Sequence, residues 1–442
     1  MSMKLNLGVK ESIAAIIVIG LALRLVLAPY TTMPYDMSFW SGVINGFNVG
    51  DGLYDSEYYW YTPTWGYILS FLTPLMNLFE VDVQGFFVPG IDGDAIYSVT
   101  STITTPGFNT ILKAPLILSD IVAASIVYYI IRRLTGDDRK AVAGFGLWFL
   151  CPLVIWTSAV QGQFDTISAL GMLASFACLI NQRYFFAGVA IVFATVTKLF
   201  PAILIPLMIG YAVSKADSRR CAVRNVISAV IGGLVCLAIL LLPTALTGDV
   251  SDSLSFITNR VEDYGATDAG GFLSLSWNNI FVAMPVILIA VLLLTYWMAR
   301  TKENNEEKLV VFSTLAICAL FAWPNAPPAP QYILIMIPML ALIWSFGYNM
   351  KVPYIIASVL FTFSVVMWTG PASLYPLALG TDLIQPDTIA SAITNYADGM
   401  MWACDKTQLF KCVPAILAIL IVLWKKGVIK GINWRSHDEY VG

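Results

Sequence analysis

The feature that most constrains this chain is a series of long apolar runs broken by short basic stretches. Runs close to the ~20 mostly apolar residues that a helix needs to cross a bilayer occur at 12–29, 113–131, 141–159, 164–181, 225–246, 280–299, 308–323, 331–347, 352–369 and 408–424. Charged residues make up only 12% of the chain, against about 25% in soluble domains. The expected fold is therefore an all-α polytopic membrane protein forming a single integral unit over 1–442. The net charge of −3 is too small to point to nucleic acid. The single histidine, His437, lies in the polar C-terminal tail, which argues against a His-based dyad or zinc site. The cysteines show no CxxC pair; Cys404 and Cys412 are the two placed to pair outside the membrane. No small-residue cleavage site follows the first run, so 12–29 is read as a membrane helix.

The stretch 184–213 is too long for one crossing and is interrupted by Thr197, Lys198 and Pro201. The excess of Lys and Arg on cytoplasmic loops decides between one pass and two. Two passes put Lys215, Arg219, Arg220 and Arg224 on the same side as Arg183. About 12 membrane helices follow, with both termini and the 425–442 tail cytoplasmic. Of the 25 Lys and Arg, all but Arg24, Lys113, Lys198, Arg260, Lys406 and Lys411 then fall on the cytoplasmic side. A full span at 64–80 would destroy that asymmetry, so 64–80 is expected as an outer-side interfacial helix. The stretch 36–48 reads similarly, with Phe39, Trp40, Val43, Ile44 and Phe47 at helical spacing. The long outer loops are 30–112, which carries both interfacial helices, 248–279 and 370–407. Chemistry is expected there.

Asp36 follows the first helix in TMPYDMSFW. A carboxylate partly desolvated at the membrane surface suits a general base; it equally suits an N-cap for a helix starting at Met37. Its oxygens also allow a divalent cation such as Mg or Mn, with no other cofactor called for. Arg24 and Asp120 fall inside the first two helices, where ionisable groups face a cavity or pair with each other. Lys198, in TVTKLFP, sits at the tip of the two-pass hairpin, where an ammonium can either meet a phosphate or snorkel to the surface. Gln161, Gln163 and Asp165 form the corner QGQFD, either a polar turn or a sugar-facing surface. Gln331 and Tyr332 follow the Pro-rich WPNAPPAP, as part of a rigid turn or as an amide and an aromatic against a sugar.

Taken in order, these segments resemble membrane glycosyltransferases of the GT-C superfamily, and in particular the catalytic subunit of the first GPI mannosyltransferase and its prokaryotic relatives. Arg24 and Asp36 precede DMSFWSGVINGFNVGDGLYDSEYYWYTPTWGYILSFLTP, which is similar to the family's Asp, aromatic helix and Tyr-Thr-Pro step at Tyr61. Asp120 matches an acidic position. QGQFD, TKLFPAILIP and PQYILIMIP resemble the Gly-Gln-aromatic-Asp, Lys-aromatic-Pro and Pro-Gln-Tyr motifs. One departure stands out: the eukaryotic enzyme's Asp-x-Asp is broken here by Pro34, so a metal site built on two close carboxylates is not expected.

The resemblance implies transfer of a sugar, mannose above all, from a polyprenyl-phosphate donor to a glycan or glycolipid acceptor, with inversion. Asp36 would be the catalytic base. Lys198 and Arg24 would hold the donor phosphate. Gln163, Asp165, Asp120, Tyr61, Gln331 and Tyr332 would contact substrates, with Trp40, Tyr58 and Tyr59 covering the site. The protein would lie in the plasma membrane of a prokaryote or the endoplasmic reticulum of a eukaryote. A transporter or flippase of a lipid-linked sugar is the competing class, but the candidate residues gather at the outer boundary rather than at the midplane, and no internal repeat is evident.

Overall fold

A computed structural model describes residues 8–56, 59–88, 102–253, 278–322, 330–395, 399, 410 and 412–428. Its helices run back and forth between two ends of the molecule. Helix α1 (Val9–Tyr30) leads to α2 (Pro34–Val49) and α3 (Pro63–Leu78) at one end. The chain returns along α4 (Pro106–Thr135). Next come α5 (Asp138–Phe149), α6 (Pro152–Ile155) with a π turn over Trp156–Gln161, α7 (Asp165–Ile180) and α8 (Tyr184–Thr197). A 3₁₀ turn (Phe200–Leu204), α9 (Ile205–Ser214) and α10 (Arg219–Thr247) follow. Later legs include Asn278–Arg300, Asn305–Phe321, Met336–Ser345, Lys351–Ile355 with Phe361–Thr369, and Cys412–Lys425. Among the described residues the strands are a two-residue ribbon, Phe86–Phe87 antiparallel to Thr102–Ile103.

Among the described residues three helices, α1, α4 and α10, are long and apolar enough to cross a membrane unaided; two bent pairs, each taken as one span, raise that to five, and further apolar helices are shorter. The reason lies in the chain. The run 141–159 is bent by 44° where Pro152 follows α5, because proline removes a helical hydrogen bond and clashes with the preceding turn. The polytopic, helical membrane character expected from the apolar runs is what the fold shows.

The chain reverses at Lys198. Gly188 and Ile191 of α8 line the same cavity as Met208 and Ile209 of α9. One continuous helix would hold Gly188 and Met208 ~30 Å apart. The basic stretches meet at the end opposite α2 and α3. Lys140 donates to the Ser345 carbonyl, Lys215 pairs with Glu306, Lys426 pairs with Glu307 at 2.8 Å, and Lys425 donates to the Phe346 and Gly347 carbonyls.

The helix expected over 36–48 starts earlier, at Pro34, whose fixed φ suits the first helical position. Asp36 is thus in the first turn rather than the cap, which is Met33. The helix is also more deeply buried than an interfacial one, with Met37, Trp40 and Ile44 fully covered. Helix α3 matches the expected 64–80 segment and packs on α2, α4, α8 and α10. Arg260, Lys406, Lys411, Cys404, Tyr58, most of WPNAPPAP and the 429–442 tail lie outside the described residues.

Candidate active site

The site end is assembled by a few local devices. Gly162 has φ +70°, in the left-handed region that favours glycine. A Cβ there would lie 2.3 Å from the sulfur of Met37, one residue past Asp36. The QGQFD corner thus touches the helix that carries Asp36. Gln161 also donates to the Met33 sulfur at 3.4 Å. The Tyr-Thr-Pro step is pinned in turn: the Tyr59 hydroxyl donates to the Thr62 carbonyl at 2.6 Å and accepts from the Gly66 amide at 2.7 Å. Burial holds that phenol well above its usual pKa, so it stays a neutral donor. The Thr62 hydroxyl donates to the Val196 carbonyl, tying this step to the end of α8.

An aromatic cluster fills the space between. Trp40 packs against Tyr61, Trp65 and Phe164, and Trp65 stacks on Phe164 with ring centroids 5.2 Å apart. Lys198 projects into this cluster from the extended residue where α8 stops. Its ammonium lies 4.5 Å from the Phe164 ring centre, 4.9 Å from Tyr332 and 5.3 Å from Tyr61. The Asp165 carboxylate stands 3.6 Å away, beyond hydrogen-bonding range, and both side chains are 7% exposed. A lysine this deeply covered ordinarily spends its three donors on close partners; among the described residues this one has three ring faces and one loose carboxylate. In the same corner and beside Tyr332, Asp165 Oδ2, Gln161 Oε1 and Gln331 Oε1 are buried without a hydrogen-bond partner among the described residues. Together these groups can accept an anion at the ammonium and hydroxyl donors at the oxygens.

The structure therefore brings Asp36, Gln161, Asp165, Lys198, Tyr61 and Tyr332 to one end, linked through Met33, Met37, Trp40 and Phe164; Gln163, buried, sits in the same corner. Arg24 and Asp120 are not part of that group. Arg24 is fully buried, bonds Asp120 at 2.9 Å, donates to the Gly20 and Phe149 carbonyls, and lies over the Phe149 ring. Asp120 also accepts from Ser158 at 2.6 Å. The pair knits α1, α4, α5 and the π turn together, while Arg24 Nη2 and Asp120 Oδ1 are buried without a hydrogen-bond partner among the described residues.

Lys113, which the sequence offers only as a lysine near the outer boundary, turns out to be fully buried. Its ammonium donates to the Ala28 and Thr31 carbonyls at 3.0 and 2.6 Å, at the end of α1. Asn109 donates to Pro29 and Thr31, and accepts from Thr104. A cation at a helix C-terminus is favourable, and here it anchors the few residues that lead into Asp36. The sequence signal is an interior lysine one helical turn past an interior asparagine. Among the described residues no group of three or more His, Cys, Asp or Glu side chains is placed to hold a metal ion.

Residues 110–324, just under half the chain, match the profile of glycosyltransferase family 87. With its apolar helices, the protein is a membrane glycosyltransferase, as its resemblance to the GT-C enzymes implies. The matched stretch holds Asp120, the QGQFD corner and Lys198, and leaves out Asp36, Tyr61, Gln331 and Tyr332. Two distantly similar solved structures are of ArnT from Cupriavidus metallidurans. The one bound to undecaprenyl phosphate has 13% identity and a TM-score of 0.46. The one in the apo state has 15% identity and a TM-score of 0.47. Each alignment covers 93% of this chain and 76% of ArnT. No curated protein matches the sequence significantly.

Proposed function

We propose that the protein transfers mannose from a polyprenyl phosphate to a lipid-linked or glycan acceptor on the outer or lumenal face, with inversion at the anomeric carbon. The observation that carries this is the buried Lys198 ammonium, caged by three rings and, among the described residues, short of hydrogen-bond acceptors. A phosphate oxygen is the acceptor it lacks, and a low-dielectric surround strengthens that contact. Asp36, in the first turn of α2, takes the proton of the acceptor hydroxyl as that oxygen attacks the anomeric carbon. The bond from that carbon to the phosphate oxygen breaks, its electron pair stays on the phosphate, and Lys198 stabilises the charge that gathers there. Gln161, Gln163 and Gln331 supply acceptors and donors for sugar hydroxyls. Tyr61 and Tyr332 offer ring faces.

The test is transfer of radiolabelled mannose from polyprenyl-phosphate mannose in membranes that contain the protein. Asp36→Asn is expected to reduce transfer by at least ~100-fold with protein levels unchanged. Lys198→Met, whose thioether still fills the aromatic cage, is expected to lower kcat/KM by ~100-fold or more. Full activity in Asp36→Asn overturns the assignment. Passage of intact lipid-linked sugar across the membrane, surviving that substitution, identifies a flippase instead.

A further inference from the structure

Asp165 is an odd neighbour for a phosphate-binding lysine, because its charge opposes the ligand that Lys198 would hold. It is not free to leave. Ser168, one turn on in α7, donates to the Ala194 carbonyl at 3.0 Å, and the Lys198 backbone amide donates to the same carbonyl at 3.0 Å. Thr166 meets Ser119 of α4 at 3.0 Å. The start of α7, which carries the carboxylate, and the backbone of Lys198 thus meet at one carbonyl of α8, so the α7–α8 packing keeps the two side chains neighbours, 3.6 Å apart. Nor does Asp165 serve Lys198 well, since the contact is too long for a hydrogen bond and Oδ2 has no hydrogen-bond partner among the described residues.

We propose that Asp165 drives release of the spent lipid phosphate. The inference rests on the glycosyl-transfer reading above. In that reaction the donor enters as a phosphodiester with one negative charge. Breaking the bond from the anomeric carbon to the phosphate oxygen leaves the electron pair on that oxygen, while the acceptor's proton goes to Asp36. The product is a phosphomonoester that carries up to two negative charges near neutral pH. Lys198 alone would hold this product more tightly than the donor and stall the cycle. A fixed carboxylate beside the ammonium repels the doubly charged product more than the singly charged donor, because Coulomb repulsion scales with charge. Both groups are nearly covered, so solvent screening is small.

The measurement is the equilibrium affinity of the purified full-length protein for polyprenyl phosphate and for polyprenyl-phosphate mannose, without acceptor. The ratio of the two affinities does not depend on the fraction of protein that is folded. Asp165→Asn is expected to shift that ratio ~tenfold toward the product, with matching stronger product inhibition of transfer. Asp165→Glu, which keeps the charge, is expected to retain the wild-type ratio. A wild type that transfers sugar while Asp165→Asn leaves the ratio unchanged overturns the inference and spares the transferase reading. A wild type that neither transfers sugar nor binds either lipid overturns both.

Discussion

Arg24 and Lys198 are both interior cations, and their surroundings assign them opposite roles. Arg24 has a carboxylate at 2.9 Å, two carbonyls and a ring face; Lys198 has rings and a distant carboxylate. The first cation is closely paired and the second is not. Removing one partner from a buried pair leaves an uncompensated charge and costs ~3–5 kcal/mol, whereas replacing both with apolar residues is often nearly neutral. Arg24→Met is therefore expected to destabilise the detergent-purified protein by about that amount. The double variant Arg24→Met, Asp120→Leu should recover most of the loss and keep transferase activity. Thermal unfolding of the two variants, with mannose transfer measured in parallel, checks this. Loss of donor binding by the double variant at wild-type stability would restore Arg24 to the site.

At the scale of helices, the position of Lys198 depends on how closely α8 approaches α10. A Cβ at Gly188 would lie 1.8 Å from the Ala229 carbonyl oxygen, and one at Gly232 would lie 2.0 Å from that of Phe185. Small residues that let backbones touch are the usual basis of helix pairing in lipid, where no hydrophobic effect drives association. Gly188→Val should push the helices apart, with a cost of at least ~1–3 kcal/mol. It should also reduce transfer, because α8 carries Lys198 at its end. Unfolding temperature and donor KM, measured together, are the readout; wild-type values for both would show that the contact is dispensable. The glycines themselves are visible in the sequence. Their partners are not, since Gly188 and Ala229 are separated by a full excursion through α9.

Over the whole molecule, the ends are distinguished by chemistry. One end collects Lys140, Lys215, Lys425 and Lys426 against carbonyls and glutamates; the other holds α2, α3 and the candidate site. If the excess of positive charge marks the cytoplasmic loops, the first end is expected to be cytoplasmic and the second outer or lumenal. In a background whose only thiol is Cys221, at the start of α10, a membrane-impermeant reagent should label intact cells or spheroplasts only after permeabilisation. With Gln84→Cys as the only thiol, exposed beside the short ribbon, labelling should need no permeabilisation. The reverse pattern would put the site on the cytoplasmic side.

The sequence by itself determined the class of fold and the reversal at Lys198, because apolar runs and basic loops answer to the bilayer alone. Hydropathy and charge bias are local, and the membrane reads them without reference to the rest of the chain. Only the tertiary structure decided which interior charges were already paired. Arg24 reads on paper like a phosphate ligand, and Asp120 like part of a cavity; packing of α1 on α4 closes them on each other. Lys113 reads like an ordinary boundary lysine; packing makes it the clamp on the segment leading to Asp36. A charge's role is set by what stands within a few ångströms of it, and those neighbours come from parts of the chain that no spacing rule connects.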